Sequence, residues 1–218
     1  RSLYTGEKIA VTGAGRTDSG VHAIDYVAHF DSEYPLSDGE PQRHIYKLNA
    51  ILPHDIAVSK IVRVNDNAHA RFDAISRKYK YYIHLEKDPF SDKTSHFFHY
   101  RADIDSMNIA CEYLIGEQDF TSMAKLHSDT KTNICKVTYA QWESISDDKL
   151  CFTIVADRFL RNMVRAIVGS LLEVGRGKNE PDWIERILDA KDRGKAGNSV
   201  PAKALFLCNI EYPEKCFE

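Results

Sequence analysis

Asp18 is the first residue of this sequence whose surroundings suggest chemistry. It lies within Gly13-Ala14-Gly15-Arg16-Thr17-Asp18-Ser19-Gly20-Val21-His22-Ala23, directly after the apolar run Ile9-Ala10-Val11. Glycines open dihedral angles and backbone approaches closed to other residues, and turns that leave a buried strand often carry function. A phosphate cradle is one use for such a loop, but both common templates fail. A dinucleotide fingerprint starting at Gly13 requires glycine where Asp18 stands, and a Walker-type loop from Gly15 requires Lys and Ser or Thr where Val21 and His22 stand. A carboxylate in mid-loop also repels a phosphate held on the amides. Asp18 therefore reads as a reagent, with a turn-capping aspartate as the plainer alternative.

A second concentration of charge lies late in the chain. Arg158, Arg161 and Arg165 recur at spacings of three and four in an apolar run from Arg158 to Val174, closed by Gly175. That spacing predicts one basic stripe on a long, largely buried helix. For Arg165 the plainer alternative is an arginine that lays its stem on apolar surface and keeps its head in water.

The elements that must position these groups follow from periodicity. Strands are expected at 7–12 and 25–30, then a helix carrying Ile45, Leu48, Ile51 and Leu52 that stops at Pro53, then a strand from Ile56 to Val64. The clearest strand runs from Ser76 to Glu86, with Tyr79, Tyr81, Ile83 and Leu85 on one face and Lys78, Lys80, Tyr82 and His84 on the other. A helix capped by Asp105 and ending near Gly116 follows, then strands at 133–143 and 149–156. After the arginine-bearing helix come a shorter one opening at Pro181 and a last strand from Ala204 to Tyr212. From residue 76 the order is β-α-β-β-α-β with one inserted helix, which is the split βαβ or ferredoxin-like unit. The first part, β-β-α-β, is the same unit without its opening β-α. The sequence opens on Arg1 rather than methionine, and Arg1 to Tyr4 are expected to be the last turn of that helix. The expected fold is thus α+β: two ferredoxin-like, RNP-like units with mainly antiparallel sheets flanking a central catalytic cleft, with domains at 1–70 and 71–218.

Composition narrows the setting. With 218 residues, 43% hydrophobic and 28% charged, the chain can bury substantial cores, and its net charge of -3 gives no global sign of nucleic-acid binding. No apolar run approaches the ~18 residues of a membrane span, so a cytoplasmic protein is expected. Five cysteines, odd in number and without a C-x-x-C pair, read as reduced and mostly buried thiols. His96 and His99 lack partners at ligand spacing, and no metal site is expected.

Several segments in order give the chain a family. The stretch Gly15 to Ala23 resembles the signature of the tRNA pseudouridine synthase A family, with Ser19 where many members have alanine. The resemblance continues through Asn49-Ala50-Ile51-Leu52-Pro53, His69-Ala70-Arg71-Phe72, Arg77-Lys78-Tyr79-Lys80-Tyr81, Gly116 to Ser122, and Asn162 to Gly169. The family's opening strand and first helix are the part not found. The resemblance implies isomerisation of uridine to its C-glycoside at positions thirty-eight to forty of the tRNA anticodon arm, without cofactor, by a homodimer whose two subunits both contact tRNA. It makes Asp18 the nucleophile, a suitable one because a carboxylate is ionised at neutral pH and can also leave. It makes Arg165 the arginine paired with that aspartate, Tyr79 the ring that stacks on the target base, Arg16 the arginine that fills the space vacated when the base flips, and Arg71 a further substrate contact. Lys78, Lys80, Arg158, Arg161, Arg176 and Lys178 are candidates for phosphate contacts. Two other readings compete: a split-βαβ module that binds RNA without chemistry, which lacks the RNP aromatic motif, and a nucleotide-binding enzyme that uses the glycine loop.

Overall fold

The computed structural model describes residues 8–32, 41–125 and 131–217. The expected helical turn at Arg1 to Tyr4 lies outside them, as does most of the polar break at 31–41. The described residues form two compact units interleaved along the chain: 8–15, 27–74 and 212–217 in one, 16–26 and 75–211 in the other, apart from the gaps just given. The sequence reading places a single division at residue 70, whereas these units assign the Asp18 loop to the later part of the chain.

The second unit is a mixed, mainly antiparallel sheet under helices. Its strands are β2 (His22–Ala23), β4 (Ser76–His84), β5 (His96–Phe97), β6 (Gly116–Asp119), β7 (Ile134–Ser146), β8 (Lys149–Ala156) and β9 (Leu205–Glu211). They lie in the order β2-β9-β4-β8-β7-β6, with β5 beside the end of β4; only the β2–β9 and β4–β5 pairs are parallel. The helices are α2 (Ile104–Glu112), α3 (Met163–Gly175) and α4 (Trp183–Ala190), and α1 (Pro41–Ile51) belongs to the first unit. Strand alternation puts Tyr81 and Ile83 of β4, Phe152 and Ile154 of β8 and Trp142 of β7 on the face that packs against Met107 of α2 and Ile167 and Leu171 of α3. Each such side chain contributes about 1.5–3 kcal/mol when fully buried. Lys78 and Lys80 point away from this core, as the alternation requires.

Two close approaches to α3 depend on glycine. A Cβ on Gly175 would meet the Met107 side chain of α2, and one on Gly169 would run into the Asn198 carbonyl oxygen. α2 is capped by Asp103, whose Oδ1 accepts from the Ser106 amide at 3.1 Å, two residues before the expected Asp105. It ends at Glu112, and Gly116, at φ +110°, opens the unforeseen strand β6.

Three further expectations change. The strands expected at 7–12 and 25–30 shorten to β1 (Thr12–Gly13) and β3 (Ala28–His29), an antiparallel pair with Thr12 opposite His29. The strand expected from Ile56 to Val64 is absent apart from an isolated bridge between Val64 and Phe217. Its central backbone groups are used elsewhere: the Asn49 side chain donates to the Val58 carbonyl at 2.9 Å and accepts from the Val58 amide at 2.7 Å. A β-prone run does not form a strand when a side-chain amide takes its N–H and C=O. Finally, α3 begins at Met163 rather than Arg158, because Asn162 adopts the left-handed conformation, φ 68°, which a right-handed helix cannot include. Arg158, Arg161 and Arg165 therefore do not form one helical stripe; only Arg165 is on the helix.

Candidate active site

The Asp18 loop connects β1 to β2, and the second unit holds its far end. The Val21 amide closes a turn on the Asp18 carbonyl at 3.1 Å, and Gly20 takes φ +85°, a conformation that explains this glycine. The next residue but one, His22, stacks on Phe206 of β9 at 4.5 Å, with Nε2 3.1 Å from the Lys203 carbonyl. The Ile24 amide donates to the Leu207 carbonyl at 2.8 Å. Parallel pairing of β2 with β9 thus fixes the loop that carries Asp18.

Two guanidinium groups meet its carboxylate, one at each oxygen. Arg165 Nη1 donates to Oδ2 at 3.0 Å, and Arg161 Nε stands 3.7 Å from Oδ1. The Asp18 and Arg165 side chains are each 22% exposed, Arg161 62%. Arg165 is tethered a second time, by Nε donating to the Val200 carbonyl at 2.7 Å. A partly buried, doubly anchored pair of this kind fixes a carboxylate far better than an exposed one.

The pair lies at an open pocket of about 750 Å³ whose walls also carry Ser19, Lys125, Asn162 and Arg193. Four cations and one carboxylate give the pocket a strongly positive character although the whole chain is acidic. Such a pocket suits a polyanion that presents a reactive centre to Asp18.

Tyr79 is half-buried on β4, edge-on to Phe159 with ring centres 5.1 Å apart. Burial pushes its phenol up to about 12, opposed by Arg77 and assisted by Tyr26 and the Asp18 charge. At neutral pH it is an uncharged ring. The Tyr81 hydroxyl donates to the Pro201 carbonyl at 3.0 Å, and burial raises its pKa as well.

The other expected residues divide. Arg16 is exposed in the Asp18 loop; Arg71 is exposed in the first unit, its guanidinium 5.7 Å from the Phe72 ring centre. Lys78 and Lys80 occupy the face of β4 opposite Tyr79. Arg158 is half-buried and is not part of the pocket wall. Arg176 and Lys178 share Glu173, at 3.1 and 2.7 Å, so both are held by a carboxylate. Sequence reasoning missed Lys125, Arg193 and Asn162. For Arg193 the available signal was the stretch 191–204, a Gly- and Pro-containing connection longer than α4 and β9 need, and Asn162 heads the segment to Gly169 already quoted for the resemblance; nothing marked Lys125.

Among the described residues no group of three or more His, Cys, Asp or Glu could hold a metal ion, and no helix is long and apolar enough to cross a membrane. The five cysteines are free, all buried except the half-buried Cys208.

Comparison with known proteins gives one answer. A family model described as tRNA pseudouridine synthase matches residues 110–213. A protein of Parabacteroides distasonis named tRNA pseudouridine synthase A is 54% identical over 209 residues, covering 96% of this chain and 82% of the relative. The proteins of the same name from Bacteroides fragilis and Bacillus subtilis are 53% and 40% identical, over 95% and 94% of this chain and 82% and 83% of their own lengths. Identity at this level over nearly all of the sequence leaves no second assignment to weigh: the chain belongs to the tRNA pseudouridine synthase A family.

Proposed function

We propose that this chain is an isomerase that converts uridine to pseudouridine in tRNA, at positions thirty-eight to forty of the anticodon arm, with Asp18 as the reacting carboxylate. The observation that carries the reading is the Asp18–Arg165 pair, 3.0 Å apart at a basic pocket, with Asp18 in the stretch that resembles the family signature and Arg165 in a second segment of the same resemblance. In the reaction the bond from C1′ to N1 breaks and a bond from C1′ to C5 forms. A proton leaves C5 and N1 ends protonated, so substrate and product have the same composition and nothing is oxidised or hydrolysed. Attack at C1′, attack at C6 and assistance to base departure all need one ionised, oriented carboxylate over the nucleotide, which is the role given to Asp18. Arg165 holds it in place. Tyr79 offers an aromatic, uncharged surface to the flipped base, and Arg16 and Arg71 are further substrate contacts. Arg161, which touches Asp18 and is largely exposed, is the best supported of the expected phosphate contacts.

The order β9-β4-β8-β7 is that of a split βαβ fold and supports a ferredoxin-like second unit. A homodimer in the cytoplasm completes the reading, on the strength of the family resemblance. Pseudouridine mapping of tRNA from cells whose only copy carries Asp18→Asn is the test. Loss of modification in the anticodon arm is expected, and continued full modification overturns the proposal. Retained tRNA binding with no modification in either form would favour an RNA-binding module instead.

A further inference from the structure

Residues 196–200 form a strap laid antiparallel along α3. The Gly197 amide donates to Ser170 Oγ at 2.9 Å, while three residues on, the Val200 amide donates to the Arg165 carbonyl at 3.2 Å and the Val200 carbonyl receives Arg165 Nε at 2.7 Å. The contact is close enough to require glycine on both sides: a Cβ on Gly197 would stand 2.9 Å from the Gly169 carbonyl carbon and the Ser170 Cα. The position of Arg165 is therefore set by the strap.

One side chain ties the strap together. Arg193 Nη1 donates to the Gly197 carbonyl at 3.1 Å and reaches the Ala196 carbonyl at 3.5 Å, and Nη2 donates to Ser199 Oγ at 2.9 Å. Ser199 Oγ also accepts from Asn162 Nδ2 at 2.6 Å, which couples the strap to the left-handed residue where α3 begins. A hydroxyl oxygen accepts two hydrogen bonds, so Arg193 and Asn162 together saturate it. The continuous path is Arg193 to Ser199, across the peptide to Val200, from its carbonyl to Arg165, and from Arg165 to Asp18.

We propose that Arg193 is a positioning residue for the reaction: it fixes the strap whose Val200 carbonyl aims the Arg165 guanidinium at Asp18. This rests on Asp18 being the reacting carboxylate. Arg193 also lines the pocket, so direct contact with an RNA phosphate is the competing role. Its guanidinium has five N–H groups and the strap engages two of its three nitrogens, which favours positioning. Lysine separates the two roles, because it keeps the charge a phosphate needs and loses the planar fork that reaches three acceptors.

The experiment compares wild type, Arg193→Lys and Ser199→Ala in kcat, KM for tRNA, tRNA affinity and its salt dependence, with circular dichroism to establish folding. For Arg193→Lys, kcat falls by about 10- to 100-fold, the scale of a small misplacement of a reacting group, while KM, affinity and salt dependence stay within about twofold. Ser199→Ala moves kcat in the same direction without touching any charge and carries the test if Arg193→Lys does not fold. The double variant loses less than the product of the single losses, because both act through one path. Retention of kcat in both single variants overturns the proposal, as does a loss confined to KM and salt dependence, which would assign Arg193 to phosphate. An inactive wild type, or an active Asp18→Asn, would instead overturn the functional reading beneath it.

Discussion

Replacing Arg165 by lysine keeps a positive charge beside Asp18 and removes one of two simultaneous tethers. The guanidinium reaches the Val200 carbonyl at 2.7 Å with Nε and Asp18 Oδ2 at 3.0 Å with Nη1. A single ammonium reaches one of those acceptors or the other in a fixed geometry, not both. Each partner is 22% exposed, so the bond is neither an exposed pair of about 0–1 kcal/mol nor a fully buried one, whose breaking costs about 3–5 kcal/mol. A charge-assisted hydrogen bond of about 1.5–3 kcal/mol is the appropriate scale. If that bond orients the carboxylate in the transition state, its loss lowers the rate by roughly 10- to 150-fold, at about 1.4 kcal/mol per tenfold. Single-turnover release of tritium from tRNA labelled at uridine C5 reads that step without interference from product release. Arg161→Lys is the internal control: Arg161 stands 3.7 Å from Asp18 and is 62% exposed, so its loss through this contact is under about fivefold. A rate for Arg165→Lys within twofold of wild type, in a folded protein, would refute the reasoning that the pair orients the carboxylate.

Two further outcomes follow from the same neighbourhood. The Tyr79 phenol, raised by burial from 10.0 to about 12, stays protonated in the folded chain while unfolded chains lose that proton from about pH 10 upward. Between these values the unfolded state binds fewer protons, so Tyr79 leaves stability unchanged below about pH 10 and makes it fall as pH rises toward about 12. Urea midpoints at pH 8, 10 and 11 check this: Tyr79→Phe should flatten part of the wild-type decline, and identical declines would count against the burial argument. Lys125 is exposed at the pocket wall and has no carboxylate partner among the described residues. If it contacts a phosphate, Lys125→Gln reduces the slope of log affinity for tRNA against log salt by about 0.7–0.9 and leaves kcat unchanged, whereas an unaltered slope removes it from the RNA surface.

The sequence made the residues of the pair legible, and much of their setting as well. Alternation along Ser76 to His84 identified the core face of β4, and Tyr81 and Ile83 are fully buried there. Expectations failed where local pattern met a competing partner. The apolar residues from Ile56 to Val64 have strand propensity, but the Asn49 side chain occupies the Val58 backbone. Arg158 and Arg161 have helical spacing, but the left-handed Asn162 starts the helix after them. Arg161, expected only as a phosphate contact on a helical stripe, instead reaches Asp18 from that non-helical turn, a contact its spacing did not announce.

What positions the pair was illegible for a different reason. Asp18 is held by β2, two residues long, whose partner strand lies 180 or more positions further along the chain. Arg165 is held by the carbonyl of Val200, and any residue at that position supplies a carbonyl. A backbone acceptor leaves no mark in residue type, unlike a carboxylate or a guanidinium. The marks it does leave are indirect. Gly169 and Gly197 keep the strap at backbone distance, Ser170 saturates its Gly197 amide, and Arg193 gathers its carbonyls. Taken singly in the sequence these are a helix glycine, a loop glycine, a buried serine and a surface arginine. Only their convergence on α3 gives them a common function, which is to determine where one guanidinium points.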